Sequence, residues 1–163
     1  MKQFSVRPAT VEDAAQLTHL LNEIIVIGGT TAFEEPLTSE ELCHRFINGD
    51  HCLACFVCEA NQGELLGFQS LGTLARLPEG WVDIATFARV SNKVRGVGSS
   101  LFEMSRQFCV DEHYAVINAT IRADNSPGLG YYSKMGFVDY DVAQGVPLND
   151  GTPMDRISKR FDI

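Results

Sequence analysis

Thr86–Leu101 reads TFARVSNKVRGVGSSL. A strand-like run gives way to a polar turn with glycines at 96 and 98. A helical stripe through Val97, Leu101, Met104 and Phe108 follows. A helix start carries unpaired N–H groups and the positive end of the helix dipole. Glycines there let a ligand approach the backbone closely, so the segment predicts an anion site. Lys93 and Arg95 add cationic side chains. The pattern is not the GxxxxGK[ST] of a P-loop. It also lacks the third glycine of a dinucleotide fingerprint, and its strand follows a meander instead of opening a βαβ unit. The same residues would equally serve a plain strand-to-helix turn, and the local pattern does not separate the two.

Upstream, residues 3–7 read as a first strand, closed by Pro8. Thr10 caps a helix, with Asp13 at the capping-box position and Ala14, Leu17, Leu21, Ile24 and Ile25 as its apolar face. Gly28-Gly29 stops it, and the loop GGTTAFEEPLT follows. Thr38 caps a second helix, with Glu41 three residues on and Leu42 and Phe46 apolar. Residues 52–59, 64–74 and 81–90 are three strands, the first two joined by a hairpin turn at Asn61-Gln62-Gly63. Downstream of the third helix, residues 115–121 are a strand. Ser126-Pro127 opens a fourth helix that ends at Gly136. Phe137–Tyr140 and Arg156–Asp162 are the last strands, separated by the polar loop AQGVPLNDGTPMD. The order is βααβββαβαββ. This predicts one mixed α/β domain over residues 1–163, with no repeat and no linker.

A chain of 163 residues with 45% hydrophobic and 21% charged residues suits a globular domain with a substantial core. No apolar run is long enough for a membrane span. The start, MKQFSVRPATVEDAAQ, lacks a secretory signal, so a cytoplasmic location is expected. The net charge of −8 argues against nucleic acid as the main partner. Cys52, Cys55 and Cys58 have CxxC spacing, but strand residues three apart point to opposite faces. They read as small buried thiols, and no metal is expected. His19, His44, His51 and His113 have no metal spacing.

The glycine turn resembles the acetyl-coenzyme A loop of the GNAT N-acetyltransferases, Arg/Gln-x-x-Gly-x-Gly/Ala, with Lys93, Gly96 and Gly98 at the defining positions. Val90 and Val94 stand where the family often has Pro and Gly. Asn125-x-x-Gly128-x-x-Tyr131-Tyr132-x-x-x-Gly136-Phe137 resembles a second family pattern, with Gly128 in place of Ala. The N-terminal VRPATVEDAAQL resembles the usual first strand and helix. GGTTAFEEPLTSEEL resembles the phosphinothricin-type branch, where this loop walls the acceptor pocket.

The resemblance implies a mostly antiparallel twisted sheet flanked by helices, whose fourth and fifth strands splay to admit acetyl-coenzyme A. It implies an N-acetyltransferase acting on a small primary amine by direct attack in a ternary complex. The alternative is a non-catalytic acyl-coenzyme A sensor on the same fold. Thr86, Phe87 and Ala88 would pair by backbone with the pantetheine arm. Lys93, Val94, Arg95, Gly96, Val97, Gly98 and Ser99 would surround the pyrophosphate, with Arg95 equally readable as a solvated charge. Asn125 would bond the cofactor arm. Tyr132 matches the general-acid position, and Tyr131 is read as the core residue of the pair. Glu34, Glu35 and Asp83 are candidate bases. A homodimer is expected by analogy, and neither nucleic acid nor membrane is an expected partner.

Overall fold

The structure, a computed structural model, describes residues 3–91 and 93–163. β1 (Phe4–Pro8) leads through a 3-10 turn (Val11–Asp13) into α1 (Ala14–Ile27). Asp13 ties this entry together. It accepts from the Thr10 backbone N–H at 2.8 Å and from both Arg7 terminal nitrogens at 2.9 Å. Arg7 reaches on to Glu59 at 3.0 Å. The short α2 (Ser39–Leu42) is capped by Thr38 and Glu41 as its sequence predicts, and continues as a π-helical turn, Cys43–Asn48.

β2 (Cys52–Ala60), β3 (Leu65–Gly72) and β4 (Trp81–Ala88) form an antiparallel meander. α3 (Val97–Asp111), β5 (Val116–Arg122) and α4 (Ser126–Met135) follow. β6 (Val138–Pro147) and β7 (Pro153–Asp162) close the chain. Among the described residues the sheet has seven strands in the order β1-β2-β3-β4-β5-β7-β6, and only β4–β5 is parallel. This is the mostly antiparallel, helix-flanked α/β sheet that the sequence predicts.

The last two strands are longer than expected. Residues 138–147 and 153–162 form one long hairpin, and only a short turn remains of the predicted polar loop. β6 is the sheet edge and is exposed along nearly its whole length. No buried face imposes alternation on its sequence, so the period-2 signal is missing. The fourth helix is capped one residue earlier than expected, by Asn125, whose side chain accepts from the Gly128 N–H at 3.0 Å.

Each face of the sheet carries its own core. On one, Leu17, Leu21, Leu42 and Phe46 pack on Phe68 and Phe87. On the other, Phe102, Tyr132 and Phe137 pack on Leu71, Val82 and Ile84, and Val97 and Leu101 pack on Phe56 and Leu66. Met104, expected in the α3 stripe, is 37% exposed. Cys55 and Cys58 fall in different cores, as alternation along β2 requires.

The Arg7 guanidinium holds the Asp13 carboxyl below its ordinary range. The unfolded chain therefore binds the Asp13 proton more tightly than the native state, and the pair's contribution is lost as pH falls through the native value. Asp13→Asn should lower stability by about 1–2 kcal/mol at pH 7, a range that allows for solvent screening at Arg7. The gap between variant and wild type should close below about pH 4. Urea melts at the two pH values check both statements.

Candidate active site

β4 and β5 pair only at Trp81↔Val116, Val82↔Ile117 and Asp83↔Asn118. Beyond that rung they part, and the β4 edge from Ile84 to Ala88 has no strand beside it on the β5 side. The gap widens into a cleft of about 480 Å³. Both helices that follow these strands, α3 and α4, begin at its rim.

α3 begins without a side-chain cap. Its N-cap, Gly96, has φ +92°, a left-handed conformation that disfavours other residues. Ser100 N–H is the first to find a helical partner, Gly96 C=O at 3.0 Å. The amides of Val97, Gly98 and Ser99 are thus left for solvent or a ligand. A Cβ on Gly98 would lie 2.6 Å from the Tyr131 ring, so this glycine is needed for close packing of α3 on α4.

Thr86, Phe87, Ala88, Lys93, Val94, Gly96, Val97, Gly98, Asn125, Tyr132 and Asp83 all line the cleft. Arg95 and Ser99 are exposed and are not part of its wall. The Asn125 amide is largely occupied within the protein. Besides capping α4, its Nδ2 donates to Thr30 C=O at 3.1 Å.

Glu34 and Glu35 lie elsewhere. The Asn149 backbone N–H donates to Glu34 at 3.0 Å, and Asn149 Nδ2 donates to Glu35 at 3.4 Å. The long β6–β7 hairpin brings its turn against this loop and holds both carboxylates there. Neither lines the cleft, whereas Thr31 and Phe33 from the same loop do.

Tyr131 and Tyr132 do not divide into one core ring and one cleft ring. Successive residues on a helix turn by about 100°, so two long rings can flank one groove. Tyr132 is the more buried, at 6% exposure, and its hydroxyl lies 2.8 Å from Thr86 Oγ1. Tyr131 donates to Gly98 C=O at 2.7 Å. Burial pushes both phenols up, Tyr131 to about 12.

Asp83 reaches the cleft from the other side of the sheet. Val82 and Ile84 pack under α3 and α4, so Asp83 between them points to the α1–α2 face. Burial pushes its carboxyl up, against the hydrogen bond it accepts from Asn118 Nδ2 at 2.8 Å. Asn118 is fully buried and is oriented in turn by the Tyr140 hydroxyl.

Three further residues, Arg122, Arg156 and Gln69, belong to no sequence motif. Arg122 on β5 and Arg156 on β7 are register partners, and both line the cleft. Arg122 is neutralised by Asp124, at 2.8 Å, whereas Arg156 Nε is buried without a partner among the described residues. Gln69, fully buried on β3, donates to both Thr86 and Tyr131. A lone amide within the apolar run LLGFQSLG was the available signal for it. The thiols of Cys55, Cys58 and Cys109 are pushed up by burial to about 12, 11 and 11, and none lines the cleft.

Comparison with known proteins agrees with this architecture. YwnH of Bacillus subtilis (strain 168), whose name assigns it provisionally to the phosphinothricin acetyltransferases, is 23% identical over 161 residues, covering 98% of this chain and 94% of the relative. An N-acetyltransferase from Staphylococcus aureus Mu50 superposes with a TM-score of 0.84 at 21% identity, covering 99% of each chain. A GNAT superfamily phosphinothricin acetyltransferase from Sinorhizobium meliloti, solved in complex with acetyl-coenzyme A, superposes with a TM-score of 0.84 at 15% identity, covering 99% of this chain and 89% of that one. Residues 6–157 match the family model described as an acetyltransferase (GNAT) domain. With that match spanning most of its length, the chain belongs to the GNAT acetyltransferase family.

Proposed function

We propose that this chain transfers the acetyl group of acetyl-coenzyme A to a small primary amine by direct attack in a ternary complex. One observation carries the reading. A single cleft, opened by the parting of β4 and β5, receives a buried phenol from α4 and a half-buried carboxylate from the opposite face of the sheet.

The residues present fit the co-substrate. The uncapped α3 amides at 97–99, with Lys93 beside them, suit a pyrophosphate. The unpaired β4 edge from Ile84 to Ala88 suits an extended, amide-bearing arm. Bound there, acetyl-coenzyme A supplies an activated acyl thioester.

The protein's tasks are then binding, orientation and proton movement. An alkyl amine with a pKa of about 10 is mostly protonated at neutral pH, so a base is needed. Asp83, with its carboxyl pushed up by burial, is suited to take that proton. β4 backbone N–H groups facing the cleft polarise the carbonyl under attack. Tyr132 protonates the departing sulfur.

The acceptor end of the cleft is cationic. Like charges directly opposite each other on paired strands destabilise a sheet. Arg122 has its own carboxylate partner, and Arg156 Nε has none among the described residues. This supports an acceptor that carries an anionic group as well as its amine. A homodimer in the cytoplasm remains part of the same reading, by family analogy alone.

The primary test is an amine panel followed by release of free thiol, beside calorimetric titration of acetyl-coenzyme A. Phosphinothricin, for which two of the relatives are named, belongs in that panel. Binding without turnover on any amine would leave a non-catalytic acyl-coenzyme A sensor. Tyr132→Phe should lower kcat by about 100-fold or more with little change in KM for acetyl-coenzyme A.

Asp83→Asn should remove the acid limb of the kcat/KM profile, a limb lying above the ordinary carboxylate pKa of about 3.9. The sign for stability is opposite to that for activity. Native Asp83 holds its proton more tightly than the unfolded chain does, so ionising it at neutral pH opposes folding. Asp83→Asn should therefore raise Tm at pH 7 while lowering the rate, which a thermal melt checks.

Arg156→Gln should lower kcat/KM for an amino acid acceptor by about 10- to 100-fold and leave the corresponding amino acid amide nearly unchanged. Equal loss on both acceptors would refute the anionic assignment.

A further inference from the structure

β3 carries one amide sealed inside the sheet. Gln69 is 0% exposed and stands in register with Thr86 on β4. Its Nε2 donates to Thr86 Oγ1 at 2.9 Å and to the Tyr131 hydroxyl at 3.1 Å. Thr86 Oγ1 lies 2.8 Å from the Tyr132 hydroxyl. Gln69 Oε1 is buried with no partner among the described residues. A buried acceptor left unpaired opposes folding, and such a cost is commonly retained where the group has a task.

Proton counting orients the network. The Gly98 carbonyl can only accept, so the single Tyr131 proton is committed to it at 2.7 Å. The Tyr131 oxygen can then only receive, and the Gln69 group facing it must be the NH2. Both Gln69 amide protons are thus used, one on Tyr131 and one on Thr86. Tyr131 has no proton to give a substrate. The Thr86 proton has one partner among the described residues, the Tyr132 oxygen.

We propose that Gln69 and Thr86 are a positioning pair, a directed relay from the Gln69 amide through the Thr86 hydroxyl to the Tyr132 oxygen, which stabilises Tyr132 while its proton is on the departing sulfur. The inference rests on the reading of Tyr132 as the acid.

In the step it serves, the amine nitrogen forms a bond to the acetyl carbon and the carbon–sulfur bond breaks. The electron pair goes to sulfur, which takes the Tyr132 proton. The amine enters this step neutral, its ammonium proton already passed to solvent by way of Asp83, and the one proton it loses on attack goes to Asp83. Tyr132 is left as a phenolate until that proton returns through solvent. A phenolate oxygen can only accept, so Thr86 must donate to it and Gln69 must donate to Thr86. Each member then has one way to point, and each donor strengthens the next. Burial opposes the phenolate, and the Thr86 hydrogen bond works against that penalty.

The test compares Thr86→Val, Thr86→Ser and Gln69→Leu with Tyr132→Phe. Initial rates give kcat and KM. A second readout uses the free protein with a trifluorotyrosine in place of Tyr132, whose lowered pKa brings its ionisation into a workable range, followed by phenolate absorbance. Thr86→Val and Gln69→Leu should each lower kcat by about 10-fold, with KM for acetyl-coenzyme A held within about twofold. Thr86→Ser should restore the rate. Thr86→Val should raise the fluorotyrosine midpoint by about one pH unit, and Thr86→Ser should not. A wild-type rate in Thr86→Val beside an inactive Tyr132→Phe, or an unmoved midpoint, overturns the relay. If Tyr132→Phe keeps full activity, the acid reading fails, and the midpoint still decides the relay alone. Thr86→Val is nearly isosteric, so the relay can be tested even if Gln69→Leu does not fold.

Discussion

The β4–β5 pair is the constraint on which the site depends. Among the described residues it is the only parallel pair in the sheet, and it lasts three rungs before the strands part at Asp83↔Asn118. Parallel strands need a crossover between them, here α3, and the chain then leaves β5 directly into α4. Both helix starts therefore lie at the same end of the same gap. That arrangement places backbone amides, an open strand edge and the α4 side chains around one volume. Had the strands stayed paired to Ala88 and Arg122, the β4 edge would be satisfied within the sheet and the cleft would close.

The parting also accounts for where the polar groups sit. In a sheet covered on both faces, polar side chains are tolerated only with partners. Asp83, Asn118, Gln69 and Thr86 cluster within a few rungs of the divergence, and hydrogen bonds link them in two sets. Asp83 and Asn118 face α1 and α2. Gln69 and Thr86 face α3 and α4. Strand alternation thus puts Asp83 and Thr86 on opposite faces of the sheet, while the open gap leaves both lining the same cleft. Asp83 and Tyr132 are pushed in the same direction by burial. For the carboxyl this favours the protonated form, whereas for the phenol it opposes ionisation, against which the Thr86 hydrogen bond acts.

Much of this was legible in the sequence because it depends on local chemistry. Gly96 and Gly98 marked the α3 start, Gly136 marked the α4 end, and alternation and turns marked the β2–β4 meander. The rest was not legible, because it depends on what faces what across long separations. Glu34 and Glu35 stood near the acceptor wall in sequence, yet the β6–β7 turn engages them. That hairpin had no period-2 signal, since its edge strand buries no face. Gln69 could be noticed as an oddity, but its task emerges only through the register Gln69↔Thr86 and the approach of α4.

The paired tyrosines show how a motif can be correct in position and incomplete in meaning. On sequence alone, Tyr131 and Tyr132 compete for one orientation. In the fold they share a network and have different proton states open to them. Tyr131 gives its proton to Gly98 C=O and so couples the α3 turn to α4. Among the described residues Tyr132 has only Thr86 as a hydrogen-bond partner, which leaves its proton the one that can be aimed into the cleft. The distinction between the two phenols follows from their acceptors and not from their exposure. Tyr131 is the more exposed ring and has no proton to give, whereas the buried Tyr132 does.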